Sequence, residues 1–447
     1  MNIIHYIFTA TIALAPLPFG LVYGVMQAGV MLLVMGLVIA YCGLRLREGK
    51  GPAVAIGRLW PECVLFAGVV GWGFFQVSGL MAGDLAHPLW GEAGAVLGVE
   101  LSGALSLARG DGFAALMRML MYGAVFWLAL QVGRDRQRAR QVVGVVVAAA
   151  TIYAVYGLVV SLGGFEKVLW VDKNGTALSG TFVNRNNFAT YLGLGLLCAA
   201  GMYLGDFFRA LESSRMGRDR AAYIVQQAFV RGAPQLACIL IMLTALFLTQ
   251  SRGGITCALI ALGVLVVLMG LLNRMRSRVY QVLTGSLVVF VLAVFLFSGD
   301  GWLERLTGTE LERETRFLRF EQTWAAIGHA PVTGYGVGSF EATFPVFADE
   351  RTITSVKAHN DWLEMMFTLG IPAAIAWFAV IGGFAVRCLA GFFRRGRDHI
   401  YPAVGFCAAI LVGLHSLVDF SLQIPAVAIT FAVLLGVGVG QAWGGGR

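Results

Sequence analysis

The sequence predicts an all-α polytopic membrane protein with about twelve transmembrane helices, and three observations carry that expectation. Of its 447 residues, 58% are hydrophobic and 13% charged, with a mean hydropathy of +0.76, whereas soluble domains carry roughly 25% charged residues. Apolar runs of about 18 or more residues recur along the whole chain. Arginines gather in the short connectors between those runs.

The expected spans fall near residues 3–20, 22–43, 60–82, 113–132, 142–164, 186–205, 233–250, 253–272, 279–298, 362–386, 401–418 and 424–442. The first is short and holds Pro16 and Pro18. It lacks a positive n-region and a small-residue cleavage site, so it reads as an anchor and not as a cleaved signal. Seven cysteines occur, none in a CxxC pair and most inside apolar runs; they read as small core residues, not as disulfides or metal ligands.

Charge orients the spans. Connectors 44–59 (Arg45, Arg47, Lys50, Arg58), 133–141 (Arg134, Arg136, Arg138, Arg140), 206–232 (Arg209, Arg215, Arg218, Arg220, Arg231), 273–278 (Arg274, Arg276, Arg278) and 387–400 (Arg387, Arg394, Arg395, Arg397) all fall on one side. The positive-inside rule makes that side cytoplasmic, with both termini inside. The formal charge of +8 is thereby read as topology, and nucleic acid is not an expected partner.

The opposite side carries fewer charges. Three regions follow: spans one to nine over 1–298, a long periplasmic loop over 299–358, and the last three spans over 359–447. Loops this long are usually functional or disordered. This one predicts a helix, because Phe317, Phe320, Trp324 and Ile327 repeat at helical spacing as one apolar face. Arg313, Arg316 and Arg319 recur along a second stripe, and a Gly-rich turn, GYGVGSFEATFP, follows. No internal repeat stands out, which argues against an inverted-repeat transporter.

Three polar stretches on the outer side could carry chemistry. SGTFVNRNNFATY (179–191) sets Arg185 among Asn184, Asn186 and Asn187 at a helix start. It reads either as a capped helix or as an anion site, since free N–H groups there favour phosphate. LTQSRGGITC (248–257) puts Arg252 at or just inside the interface, which marks it for function, with snorkelling as the plain alternative. The third is Arg316 and Arg319, the Gly-rich turn with Glu341, and AHNDWLEMM with His359 and Asn360. Asp361 and Glu364 complement the helix dipole at that start. A helix N-terminus disfavours imidazolium, so His359 is expected to be neutral and basic. In HSLVDFSLQIP (415–425), His415, Asp419 and Gln423 are spaced at four, as if on one side of a helix end; a structural role is expected for them. Trp302, Trp324 and Trp362 could stack on sugar, though packing explains each as well. The sequence holds no outer-face DxD, no His/Cys cluster with metal spacing, no P-loop and no GxSxG. Fixed cations, with no metal and no cofactor, are what it offers for handling negative charge.

Together, SGTFVNRNNFATYLGLGL (179–196), LTQSRGG (248–254), GYGVGSFEATFP (334–345) and AHNDWLEMMFTLGIP (358–372) resemble the O-antigen ligase and O-antigen polymerase superfamily of bacterial inner-membrane glycosyltransferases. HSLVDFSLQIPA (415–426) is similar to a subset associated with exopolysaccharide assembly. The resemblance spans roughly residues 140–430. It implies a GT-C-type helical fold and transfer of a glycan from undecaprenyl pyrophosphate to an acceptor hydroxyl at the periplasmic face, without metal. The acceptor is lipid A-core for a ligase and another lipid-linked glycan for a polymerase. By the same resemblance, Arg252 is the arginine of the SRG-type motif, Arg316 or Arg319 the loop arginine, and His359 the loop-end histidine. Where many relatives have proline this chain has Arg185, leaving phosphate contact or a turn as its two roles. Asn360, Glu341, Asn184 and Asn187 are secondary candidates. The rival reading is a flippase or transporter of lipid-linked glycan, which should carry its polar residues near the midplane; Arg118 is the main residue that does so.

Overall fold

The computed structural model describes residues 1–81, 85–172, 177–213, 223, 226–272, 310–395 and 398–443. Lys173, Arg215, Arg218, Arg220, Arg274, Arg276, Arg278, Arg397, the ninth expected span and loop residues 299–309 with Trp302 lie outside them, as does the side chain of Arg313.

The helices are α1 (Asn2–Leu14), α2 (Gly24–Arg47), α3 (Trp60–Val77), α4 (Leu89–Leu97), α5 (Arg109–Val132), α6 (Arg136–Leu162), α7 (Arg185–Ser213), α8 (Ala233–Leu248), α9 (Arg252–Leu272), α10 (Glu310–His329), α11 (Phe340–Thr343), α12 (Asp361–Leu369), α13 (Ile371–Arg394), α14 (Ile400–His415) and α15 (Pro425–Ala442). A two-residue antiparallel pair, Lys167–Val168 with Val171–Asp172, is the one sheet among the described residues. Among the described residues, eight helices are long and apolar enough to cross a membrane, and α1, α8 and α14 are shorter apolar helices that coincide with expected spans. The chain is therefore a nearly all-α, multi-pass membrane protein.

The bundle is built around α15. All of its residues are buried, as a helix that is apolar all round should be. It packs against α5, α14, α13 and α7. Its GVGVG run makes this possible: a Cβ at Gly436 would lie 2.5 Å from Phe126 O, and one at Gly440 2.7 Å from Leu130 O. Small residues four apart let two backbones meet where hydrophobicity alone gives no drive for helices to associate.

The arginine-rich end of the bundle is locked by polar ties. Arg387 Nε and Nη2 grip Glu62 at 2.6 and 3.0 Å, and Arg140 takes Asp206 at 3.0 and 3.2 Å. Arg136 meets Asp398 at 2.8 Å. Arg134 donates to Trp443 O at 2.6 Å, Arg395 binds Gln441, and Gln441 Nε2 donates to Gly133 O at 2.6 Å.

Two expectations need correction. The span expected at 362–386 is two helices, broken at Gly370, whose φ of 81° and ψ of 158° no helix allows; Pro372 then starts α13 in the position where a missing N–H costs nothing. The loop helix α10 forms as expected, but its apolar face differs. Phe317 and Trp324 are 59% and 60% exposed, whereas Thr323, Ala326 and Ile327 are buried. Ala326 and Ile327 dock on a cluster of Tyr335, Phe340, Phe344 and Phe367. The winning face is the one that meets aromatic partners, not the one with the largest side chains.

The Gly-rich turn anchors this unit. Tyr335 and Gly336 N–H groups donate to Phe367 O and Thr368 O, at the end of α12. Buried Gln76 on α3 clamps the same spot, donating to Thr333 O at 2.7 Å and Thr368 O at 3.0 Å and accepting from Val337 N at 2.9 Å. Gly336, at φ 106°, could not bear a Cβ, which would sit 2.3 Å from Ser106.

Candidate functional site

The site is built where α12 begins. Asn360 is its N-cap: Oδ1 accepts from Leu363 N at 3.1 Å, and Nδ2 donates to Leu417 O at 2.9 Å. Glu364 reaches back to accept from Ala358 N at 2.9 Å and lies 3.4 Å from Lys357 Nζ, a close relative of the capping box. Between these two anchors stands His359, in the left-handed region at φ 54°. A non-glycine residue there is strained by about 1–3 kcal/mol and persists only when its surroundings over-determine it.

Asp361 and Glu364 do stand in the first turn of α12 as expected, but a dipole role is not their main work. Asp361 is buried and stitches α12 to the turn between α14 and α15. It accepts from Ser416 Oγ at 2.8 Å, Leu422 N at 3.2 Å and Gln423 Nε2 at 3.1 Å. Burial pushes its carboxyl up to about 7, against the pull of those donors.

This stitching presents Asp419 to the histidine. His359 Nδ1 is 3.4 Å from Asp419 Oδ1, and the His359 ring meets Phe420 edge-on at 4.9 Å between centroids. Asp419 is 1% exposed. Burial works against its charge, yet the His359 ring beside it and His415 nearby hold its carboxyl below the usual range. With the proton on Nδ1, facing the carboxylate, Nε2 keeps its lone pair for an incoming proton.

His415 does something else. It ends α14, and its Nδ1 lies 2.7 Å from Thr190 Oγ1 and 3.0 Å from Ser421 Oγ; Ser421 donates in turn to Asn187 Oδ1 at 3.2 Å. The expectation that His415, Asp419 and Gln423 share one side of a helix end is therefore overturned. The chain turns after His415, Ser421–Gln423 is a short 3-10 turn, and the three side chains go to Thr190, His359 and Asp361 respectively.

The arginines converge on the same end. Gly253 on α9 packs against His415, since a Cβ there would lie 3.2 Å from its ring; this brings Arg252 to the junction. Arg185, exposed at the start of α7, is its electrostatic neighbour, so two cations share one corner. Arg316 is exposed and acts on both His415 and Arg319. Arg319 is half-buried, and its Nε donates to Ser355 Oγ at 2.8 Å. Burial and the Arg316 charge both lower its guanidinium. Asn184 Oδ1 accepts from Asn186 N at 2.8 Å, a local turn at the start of α7. Glu341 is exposed on the short α11. Among the described residues, no group of three or more His, Cys, Asp or Glu could hold a metal ion.

The O-antigen ligase family matches residues 237–378, about a third of the chain. Over that segment the chain is similar to the O-antigen ligase family. No curated protein matches it. The O-antigen ligase match contains Arg252, Arg316, Arg319, Glu341, His359 and Asn360, and it supports a glycosyltransferase-like activity of the ligase or polymerase type in broad terms. Arg185, Asn184, Asn187, His415 and Asp419 lie outside the matched O-antigen ligase segment and reach the junction through tertiary packing. Asp419 is the residue that sequence reasoning missed as a histidine partner. Its one signal was the HSLVDF run, whose regular spacing pointed to a continued helix and concealed the turn.

Proposed function

We propose that this protein transfers a glycan from undecaprenyl pyrophosphate to an acceptor hydroxyl at the periplasmic membrane face, in O-antigen or exopolysaccharide assembly. The observation that carries the reading is the His359–Asp419 contact, set within the same junction as Arg252, Arg185 and Arg316. In this reading His359 Nε2 accepts the proton of the acceptor hydroxyl, whose oxygen forms the new bond to the anomeric carbon. The bond from that carbon to the pyrophosphate oxygen breaks, and the leaving group departs with the electron pair. Asp419 holds the imidazole in the useful tautomer and stabilises the imidazolium that forms. Negative charge grows on the pyrophosphate, and guanidinium groups answer it with forked, charge-assisted hydrogen bonds.

Arg252 and Arg316 are the pyrophosphate ligands we favour, with Arg185 beside Arg252. Arg319 is already engaged by Ser355, which supports a role in positioning α10. Asn187, held by Ser421, and Asn360, spent on capping, support structural roles. Orientation follows from charge: the arginine-tied end is cytoplasmic, both termini lie inside, and the His359 end faces the periplasm.

Purified full-length protein in liposomes, given undecaprenyl-pyrophosphate-linked glycan, tests the reading. A new glycosidic bond and released undecaprenyl pyrophosphate are expected, without added metal. Movement of intact donor across the bilayer, with no bond formed, would establish a flippase instead. In a deletion strain, lipid-linked polymer beside bare lipid A-core would mark a ligase, and single repeat units would mark a polymerase.

A further inference from the structure

Arg118 is left over by the site just described. It lies ten residues into α5, facing a cavity of about 290 Å³ bounded by α5, α12, α13 and the start of α15. An arginine inside a span, directed at a cavity, is a functional residue by default. None of Arg185, Arg252, Arg316 and Arg319 lines this cavity, but Phe420 does, and the His359 ring rests on Phe420. The cavity is therefore a second chamber adjoining His359.

Hydrogen-bond bookkeeping indicates what it would hold. The acids on its wall are occupied: Asp361 accepts from Ser416, Leu422 and Gln423, and Glu364 from Ala358 and Lys357. The two glutamines each commit an N–H, Gln27 to Val22 O and Gln423 to Asp361. Donors are in surplus. Among the described residues Arg118 makes no hydrogen bond or ion pair, and the buried Tyr122 hydroxyl has no partner. A buried, unmade hydrogen bond is costly, so a chamber whose carboxylates are satisfied while its guanidinium and hydroxyl are not suits an acceptor-rich, anionic ligand.

The floor gives the rest of the ligand. Tyr122, Trp377 and Leu422 also line a second cavity of about 200 Å³, whose remaining wall is almost wholly apolar and includes Phe66, Phe126 and Phe384. A charged chamber opening onto an apolar one has the layout of a lipid, with a head and a chain.

We propose that Arg118 and Tyr122 bind the phosphate head of a lipid whose hydrocarbon chain occupies the apolar cavity below, at a position separate from the Arg252 corner. If the proposed function holds, on which this last step rests, the lipid carries the acceptor hydroxyl to His359 from the opposite side to the donor. The acceptor is then itself lipid-phosphate-linked.

Native mass spectrometry of the full-length protein, titrated with undecaprenyl pyrophosphate and separately with phosphatidylglycerol, tests this. Two undecaprenyl pyrophosphates per chain are expected. Arg118→Gln should keep one and weaken the other about ten- to hundredfold, and Tyr122→Phe, which preserves the ring and its packing, should weaken the same one by less. Arg252→Gln should spare that site and lose the other. Saturation of the Arg118 site by phosphatidylglycerol, with no second undecaprenyl pyrophosphate, would keep the phosphate-lipid site but remove its acceptor role. Wild-type counts of both lipids in Arg118→Gln and Tyr122→Phe would overturn the proposal. Loss of a lipid in Arg118→Gln but not in Arg252→Gln would leave this site standing and refute the donor corner.

Discussion

The two ends of the bundle use arginine in opposite ways. At one end Arg134, Arg136, Arg140, Arg387 and Arg395 each grip a carboxylate, an amide or a helix-terminal carbonyl. At the other, Arg252 has a second cation, Arg185, as an electrostatic neighbour, and among the described residues no carboxylate pairs with Arg185 or Arg316. Clustered like charges near hydrocarbon are unfavourable. A protein that ties these arginines at one end and leaves Arg185 and Arg316 without a carboxylate at the other keeps those two for something that arrives. Asp419, a buried acid at that end, faces a histidine and not an arginine.

The largest expected effect is at the histidine. His359→Ala should lower the transfer rate by about 10²- to 10⁴-fold while the protein stays folded in the membrane; near-normal turnover would remove the proton-acceptor role. Next come the two loop arginines. Arg316→Gln should cost about 10²-fold in rate, whereas Arg319→Gln should act mainly on α10, lowering the melting temperature through the lost Ser355 contact. Equal rate losses in both, at unchanged melting, would erase the distinction drawn between them. The smallest effect is a pH slope. The carboxyl of Asp361 is raised to about 7 in the fold from an ordinary 3.8. Between those values the native state keeps a proton that the unfolded chain has released. Its contribution to stability is therefore complete below about pH 4 and is lost as pH rises through 7. Melting at pH 5 and pH 8 should differ by on the order of 1–3 kcal/mol more in wild type than in Asp361→Asn; parallel slopes would place the native titration elsewhere.

Hydropathy and connector charge were enough to locate eleven of the helices, because burying backbone in lipid leaves few alternatives to a helix. The break at Gly370 was invisible to hydropathy, which averages across it, though Gly370 and Pro372 are both in the sequence. Arg252, Arg316 and His359 were legible because polar groups at a span mouth are expensive. Asp419 was not, because its role depends on a turn that local spacing does not reveal. Arg118 could be seen but not interpreted, since its meaning lies in a cavity formed by helices far apart in the chain.

The contrast between the ends is tested most directly by the single-turnover transfer rate of Arg252→Lys, with Arg387→Lys as its counterpart. Both exchanges keep the charge and lose the fork. The account predicts that Arg252→Lys transfers far more slowly at unchanged melting temperature, and that Arg387→Lys, gripping Glu62, melts earlier but transfers normally per folded molecule. An Arg252→Lys protein with the wild-type rate would contradict it.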